Sequence, residues 1–550
     1  MIIDMIRRKK IVSAREALSK VRDGAVVAVS GFNLALTPDY LLKELYNLYV
    51  ETGHPNKLFI VSDTLPGSPE KGLDRIAKDM LDRKDYGFIR GVLLPFLGWT
   101  PNMQELVKNN IIEGYTWSIG IMAYWFREVG SGRPGVISRV GLATFLDPEY
   151  EAGALNDLAR EKRTAKIDYV KLGGRIYLFY RAPKPDVALI RGTTADEIGN
   201  LTLEGEAIIG TVLNIAQAVK AQPNPGIVIA QVMRLAKFGS LNPKCVQVPG
   251  PIIDYIVMVK DPEYHKQTAN ITYDPRVSGE IIPPVDPALY ERPRLNARKV
   301  IARRVLLQFL NILKEEKRPI IVNLGIGIPS MVTSVAIEEE ISDLLATTIE
   351  SGPWGGKALA GEDFGASIGP YAIIPMPDQF SVYEGGILDA ASLGFLQIDR
   401  HGNVNPSVLP GRMTGPGGFP VIATGSPRLY FAGLFTAGKQ DIRVEDGKIG
   451  IREDGKTMKF VDHVYKVLCS GTNLLRKREV LYITERVVFR LSGEGLLLEE
   501  IAPGVDLDKD IISKMEFKPV IRGEPRLMDE RIFKDRRMNI LHEIIELLER

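Results

Sequence analysis

Short runs of valine and isoleucine alternate along this chain with stretches whose apolar residues recur every three or four positions. Residues 24–31, GAVVAVSG, read as a buried strand and the following DYLLKELYNLYV as an amphipathic helix; KLFIVS, PDVALIRG and GIVIAQV are further strands. A second series begins at PIIVNLG (319–325) and runs through the helical SMVTSVAIEEEISDLL, then DLLATTIESG, GFLQIDRHGNV and RLYFAGLF. Strands alternating with helices predict α/β sheets with crossover connections, and here the alternation starts twice. Between the two series, residues 281–296 (IIPPVDPALYERPRLN) hold four prolines in sixteen positions, which neither a helix nor a central strand tolerates. This predicts an N-terminal domain over 1–283, a linker over 284–296 and a C-terminal domain over 297–550.

Two echoes suggest that the halves are related. Asp196-Glu197-Ile198-Gly199-Asn200 recurs as Asp399-Arg400-His401-Gly402-Asn403, each after an apolar run, and a strand, glycine, loop, proline, helix order occurs at Gly31 to Pro38 and at Gly325 to Pro329. Asp-x-x-Gly-Asn is also ordinary turn composition; its two copies in the same order are what favour a repeat. After Met528, DERIFKDRRMNILHEIIELLER reads as one amphipathic helix with a solvated charged face.

Charge and composition narrow the partners. Lys and Arg number 70 against 68 Asp and Glu, so the chain as a whole offers no positive field for nucleic acid. Two distant cysteines, Cys245 and Cys469, make no disulfide framework or cysteine zinc site, and no apolar stretch approaches a membrane span or signal peptide. A cytoplasmic protein without nucleic-acid or membrane partners is expected. Glycine is uneven: Gly352 to Gly418 holds 14 in 67 residues, which implies unusual backbone there.

Common catalytic patterns mostly fail. Gly325-Ile326-Gly327-Ile328-Pro329 follows a strand and opens a helix but lacks the third glycine of a dinucleotide loop, although its backbone N–H groups suit a phosphate, carboxylate or oxyanion. Gly365-Ala366-Ser367-Ile368-Gly369 matches a nucleophile elbow in letters, yet Pro370 forbids the helix an elbow needs. The five histidines have no metal-ligand spacing, so no metal is expected. One carboxylate stands out: Glu350 ends the apolar run DLLATTIE and precedes Ser351-Gly352-Pro353-Trp354-Gly355-Gly356. It could be an exposed turn residue, or a nucleophile that glycines leave open to close approach.

Ile349-Glu350-Ser351-Gly352 resembles the nucleophile signature of family I coenzyme A transferases, and Asp23 to Phe32 with Pro38 resembles their other signature. The similarity extends through SGRPGVISRVGLATFLDP, IRGTTADEIGNLTLEGEA, VNLGIGIP, QFSVYEGGILDAASLGFLQIDRHGNVNPS, PGGF, FAGLFTAG and YITERVVFRL, and is of the long single-chain acetate/propionate type with fused α and β subunits. The resemblance implies two related open α/β domains with the active site at their interface. It implies ping-pong transfer of coenzyme A from an acyl-CoA to a small carboxylic acid, through a glutamyl-CoA thioester on Glu350, by a homodimer or homotetramer with no permanently bound cofactor. Carried to matching positions, it puts oxyanion donors at Gly385 and Gly386. Coenzyme contacts fall at Gly325, Ile326, Gly327, Ile328, Pro329, Asn403, Asn405 and Lys439, and the acid pocket at Gly31, Phe32, Asn33 and Ile119. Ile119 stands where the family commonly has an amide, Ile387 where it has glycine, and Ser30 and Leu36 replace glycines of the first signature; with Trp117, Tyr124 and Trp125 near Ile119, a pocket more apolar than acetate requires is expected. A hydrolase on the same scaffold, or a noncatalytic acyl-CoA binder, are the alternatives.

Overall fold

The computed structural model describes residues 9–283 and 292–548. Residues 284–291, most of the expected linker, lie outside the described residues; 292–296 carry no regular structure, and a helix begins at Ala297 behind the Asn296 cap, whose side chain accepts from Lys299 N.

Every strand expected above forms. In the first half, β1 (Val26–Val29), β2 (Leu58–Val61), β3 (Ile89–Leu93), β4 (Glu113–Tyr115), β5 (Val187–Arg191), β6 (Ile227–Val232) and β7 (Tyr255–Met258) make one parallel sheet in the order β7-β6-β5-β1-β2-β3-β4. Helices such as Asp39–Thr52 supply its crossovers, and its core includes Val27, Val29, Leu42, Ile60, Val92 and Leu189. The central strands β1, β2 and β5 are buried along their length, as parallel strands covered on both faces must be, which is why they read as continuous apolar runs.

In the second half, β8 (Ile320–Leu324), β9 (Leu345–Thr348), β10 (Ala390–Leu393), β11 (Arg428–Ala432) and β12 (Glu479–Ile483) pair in parallel in the order β9-β8-β10-β11-β12. The antiparallel β13 (Val487–Ser492) and β14 (Gly495–Ile501) extend it. The arrangement repeats β2-β1-β5-β6-β7 of the first half, around a separate core that includes Val305, Phe309, Val322, Leu481 and Ile532.

The echoed turns confirm the repeat at atomic detail. Asp196 Oδ1 accepts from Ile198 N and Asn200 N while Asn200 Nδ2 donates to Asp196 Oδ2 at 2.8 Å. Asp399 treats His401 N, Asn403 N and Asn403 Nδ2 in the same way. Gly199 and Gly402 take positive φ, 97° and 74°. Each turn joins a short antiparallel pair, 194–196 with 201–202 and 397–399 with 404–405, and in each the first strand also pairs in parallel with a later segment.

Two expectations are corrected. The C-terminal segment is not one helix: a 3-10 turn covers Glu530–Phe533, and an α-helix begins only at Ile540, after Asn539 takes φ 60°. Nor does one cut divide the compact units. The first comprises Met1–Pro283 with Ile349–Ser381 and Leu409–Val421; the second comprises Pro284–Thr348, Val382–Val408 and Ile422–Arg550. Glu350, expected in the C-terminal domain, therefore packs with the first unit. No described helix is long and apolar enough to cross a membrane.

Candidate functional site

In the first unit Glu350 lies two residues beyond the end of β9, on a turn closed by Gly352 N donating to Ile349 O at 3.0 Å and Ile349 N donating to Pro353 O at 2.9 Å. Gly352 has φ 125°, and a side chain there would strike Ile374 O. The next residue anchors the turn, since the wholly buried Ser351 donates its hydroxyl to Gly365 O. Among the described residues the Glu350 carboxylate meets no donor or cation, and burial alone pushes its pKa up to about 7. The residue keeps a partial opening to solvent.

A Cβ added to Gly418 would fall on Glu350 Oε2, so only glycine can stand there while the carboxylate keeps its place. Gly418 needs no left-handed backbone, and among the described residues its N–H meets no acceptor. The preceding Gly417 accepts from Ile119 N and Ser118 Oγ, each at 3.0 Å, and donates to Pro95 O at 3.0 Å. Ile119 thus adjoins the turn that touches Glu350, and Phe380 packs beside both Gly120 and Gly418.

The first signature reaches the same segment. Asn33 Nδ2 donates to Glu362 O and Phe364 O, both at 3.1 Å; Phe32 and Phe364 rings lie 5.9 Å apart, and Phe32 occupies the space a Gly365 side chain would need. Gly31, at φ 135°, cannot carry a side chain without striking Thr37. Ser30, which departs from the family's glycine, donates its hydroxyl to Leu36 O at 2.9 Å and braces the loop. Gly31, Phe32, Asn33 and Ile119 therefore all belong to the unit that holds Glu350.

The second unit contains the other expected residues. Gly325 N donates to Ser392 O, and the carbonyls of Gly327, Ile328 and Pro329 accept from Ser330 Oγ, Met331 N and Val332 N, while Gly327 takes φ 90° in open space and Ile326 is exposed. Gly385 and Gly386 behave otherwise. Gly386 N donates to Tyr383 O and Ile387 N to Val382 O, both at 3.1 Å, with Gly386 at φ 75°, a glycine C-cap ending the helix Met376–Glu384. A Gly386 N–H engaged in a helix end is not free for an oxyanion. Asn403 has both ends of its amide committed, to Asp399 Oδ2 and, as acceptor, to Gly471 N. Asn405 is buried and bonded to Gln397 Oε1 and to Val408 N and O. Lys439 is exposed.

Two residues that the sequence did not single out are conspicuous in the structure. Gly418 was inside the matched Pro416-Gly417-Gly418-Phe419, but nothing in the letters distinguished it from its neighbours. Lys459 had no motif at all; in the structure its ammonium lies 3.9 Å from the Phe395 ring centroid, nearly buried and without an ion pair among the described residues, and burial pulls its pKa down to about 8.

Comparison with known proteins adds the following. A family model described as Coenzyme A transferase matches residues 11–258. The chain is 36% identical over 537 residues to the acetate CoA-transferase YdiF of Escherichia coli K12, covering 97% of each, and 36% identical over 534 residues to the caffeate CoA-transferase of Acetobacterium woodii, covering 96% of this chain and 98% of that protein. The crystal structure of the acyl-CoA transferase YdiF from E. coli O157:H7, a thioester complex with CoA, matches with TM-score 0.86 at 35% identity, over 97% of this chain and 98% of that one.

Proposed function

The chain belongs to the coenzyme A transferase family and is a CoA-transferase of the single-chain fused type, and from that premise we propose that Glu350 is the nucleophile that carries coenzyme A as a glutamyl thioester between two acids. The observation that supports this most is a desolvated carboxylate without a partner among the described residues, held against Gly418 on a turn anchored by Ser351. No described residue donates to its lone pairs, which leaves them available for attack.

A Glu350 oxygen adds to the thioester carbonyl and the C–S bond breaks, giving an acyl-glutamyl anhydride and the CoA thiolate. The thiolate adds to the glutamyl carbonyl and expels the first acid as carboxylate. The incoming carboxylate attacks the glutamyl thioester, and the thiolate released then takes the new acyl group, restoring Glu350. No proton is gained or lost, and acyl activation is conserved throughout. Each addition makes an oxyanion; Gly418, whose α-carbon faces Glu350 Oε2 and whose N–H meets no acceptor among the described residues, is our donor in place of Gly386.

We assign the coenzyme to the 325–329 loop with Lys439, and a small carboxylic acid to a pocket built from Gly31, Phe32, Asn33 and Ile119. The buried Trp117 and Trp125 behind Ile119 favour acids with an apolar body over acetate. Initial rates against both substrates test the reading. Parallel double-reciprocal lines are expected, with a higher kcat/KM for a branched or aromatic acid than for acetate; intersecting lines, or CoA release that needs no acceptor acid, would contradict it.

A further inference from the structure

The loops after β1 and β2 leave the first unit's sheet at one edge, since Ala28 is opposite Val61 in the parallel pair. That carboxyl edge is where α/β sheets bind ligands. The first loop is Gly31 to Asn33; the second is Ser62-Asp63-Thr64, and the Thr64 hydroxyl donates to Gly31 O, tying them together. Asp63 is 2% exposed. Ser62 Oγ lies 3.4 Å from its carboxyl, and the Thr211 hydroxyl is beside it, itself buried and short of a hydrogen-bond partner.

Thr211 follows Gly210, whose carbonyl accepts from Met376 N at 3.0 Å; three residues on, the buried Gln379 leaves Nε2 without an acceptor. Ile374, just before that helix, donates to Gly352 O on the Glu350 turn at 3.1 Å. Asp63 is therefore linked to the Glu350 segment from two sides, through Thr64, Gly31 and Phe32, and through Thr211, Gly210 and Met376. The other ionic groups packed on these loops are engaged with one another: Arg191 with Glu206 and with the carbonyls of Leu34 and Thr37, His265 with Glu206, and Asp39 with Arg75. Asp363, beside the Phe364 that packs on Phe32, accepts from Thr268 Oγ1, Asn270 N and Asn270 Nδ2. Among the described residues Glu350 and Asp63 meet no cation.

We infer that Asp63 is a second carboxyl of the acid pocket, which in its neutral form donates a hydrogen bond to the carboxylate of the incoming acid. This rests on Glu350 being the nucleophile. An ionised carboxylate without a cation would repel an anionic substrate and be costly to bury, whereas a protonated one is a hydrogen-bond donor. Burial pushes the Asp63 pKa up to about 7, so the donor form is populated at neutral pH. The proton stays on Asp63 throughout, and the incoming acid loses this contact when Asp63 ionises.

The half-reaction that meets the acid isolates Asp63, because Glu350 is then a thioester and does not titrate. The full chain is assayed for transfer from acetyl-CoA to propionate between pH 5.5 and 8.5. In the wild type, KM for propionate should be flat below about pH 6 and rise toward tenfold per unit above pH 7. Asp63→Asn, which keeps an N–H donor at every pH, should abolish that rise; Asp63→Ala should raise the propionate KM about tenfold at pH 6 with no pH trend. A pH profile in Asp63→Asn equal to that of the wild type would overturn the assignment, and a purely structural Asp63 would not give the flattened one. A CoA adduct on wild-type Glu350, formed from acetyl-CoA without acceptor, scores the underlying reading separately: adduct present with unchanged profiles removes Asp63 alone, and adduct absent removes both.

Discussion

Glu350 stood out in the sequence because a carboxylate at the end of an apolar strand, followed by glycines, is a poor arrangement for stability; the letters alone left an exposed turn and a nucleophile both open, and the family resemblance favoured the second. Its raised pKa has two consequences of opposite sign. Activity in the first half-reaction, kcat/KM for acyl-CoA, should fall as pH drops below about 7, because the protonated carboxyl is a poor nucleophile. Stability should move the other way. The folded pKa is above the unfolded one, so the folded state holds the extra proton between about pH 4.5 and 7 and loses stability as pH rises through that window. Glu350→Gln should therefore melt higher than the wild type above pH 7, by roughly 1–3 kcal/mol in denaturant titrations, with no gain near pH 4, while transfer falls by about 10³-fold or more. Gly418→Ala should fold normally and lose about 10²-fold or more in kcat, because the added methyl takes the position of Oε2; wild-type kcat in that variant would remove Gly418 from the site. Gly386 spends its N–H on Tyr383 O at a helix end, a commitment that the glycine pair Gly385-Gly386 does not announce in the sequence.

Among the elements, parallel strands buried on both faces announce themselves as apolar runs, and every one marked in the sequence forms. The Asp-x-x-Gly-Asn turns were equally readable, since aspartate and asparagine can bond the backbone two to four residues on and glycine supplies the positive φ. What the turn did to Asn403 was not readable, because the acceptor role toward Gly471 N depends on a segment nearly seventy residues away. Asn200→Ala and Asn403→Ala should each destabilise by about 1–3 kcal/mol in chemical unfolding, with KM for acyl-CoA within twofold of the wild type for Asn403→Ala; a tenfold higher KM at unchanged stability would restore it to the coenzyme. The C-terminal pattern misled because amphipathic spacing continues across Asn539, whose φ of 60° ends the regularity that spacing alone implies.

At the scale of the whole molecule, the duplication was visible as two strand series, yet the assignment of segments to units was not. Ile349–Ser381 and Leu409–Val421 lie within the second strand series in the chain but pack with the first unit, through Asn33 on Glu362 and Phe364 and through Leu97 N on Thr414 O. Proline content marks where a chain cannot be regular and says nothing of where later segments return. If the chain is cut between 283 and 292, residues 1–283 lose both returning segments; alone they should unfold at lower denaturant than the intact protein, and co-expression with the remainder should recover a stable, co-purifying pair. The central claim concerns Glu350. Intact protein incubated with acetyl-CoA and no acceptor acid, digested and read by mass spectrometry, should show a CoA-sized adduct on the peptide containing Glu350, absent in Glu350→Gln and discharged by added propionate. An unmodified Glu350 peptide in a preparation that transfers CoA at full rate would contradict the account.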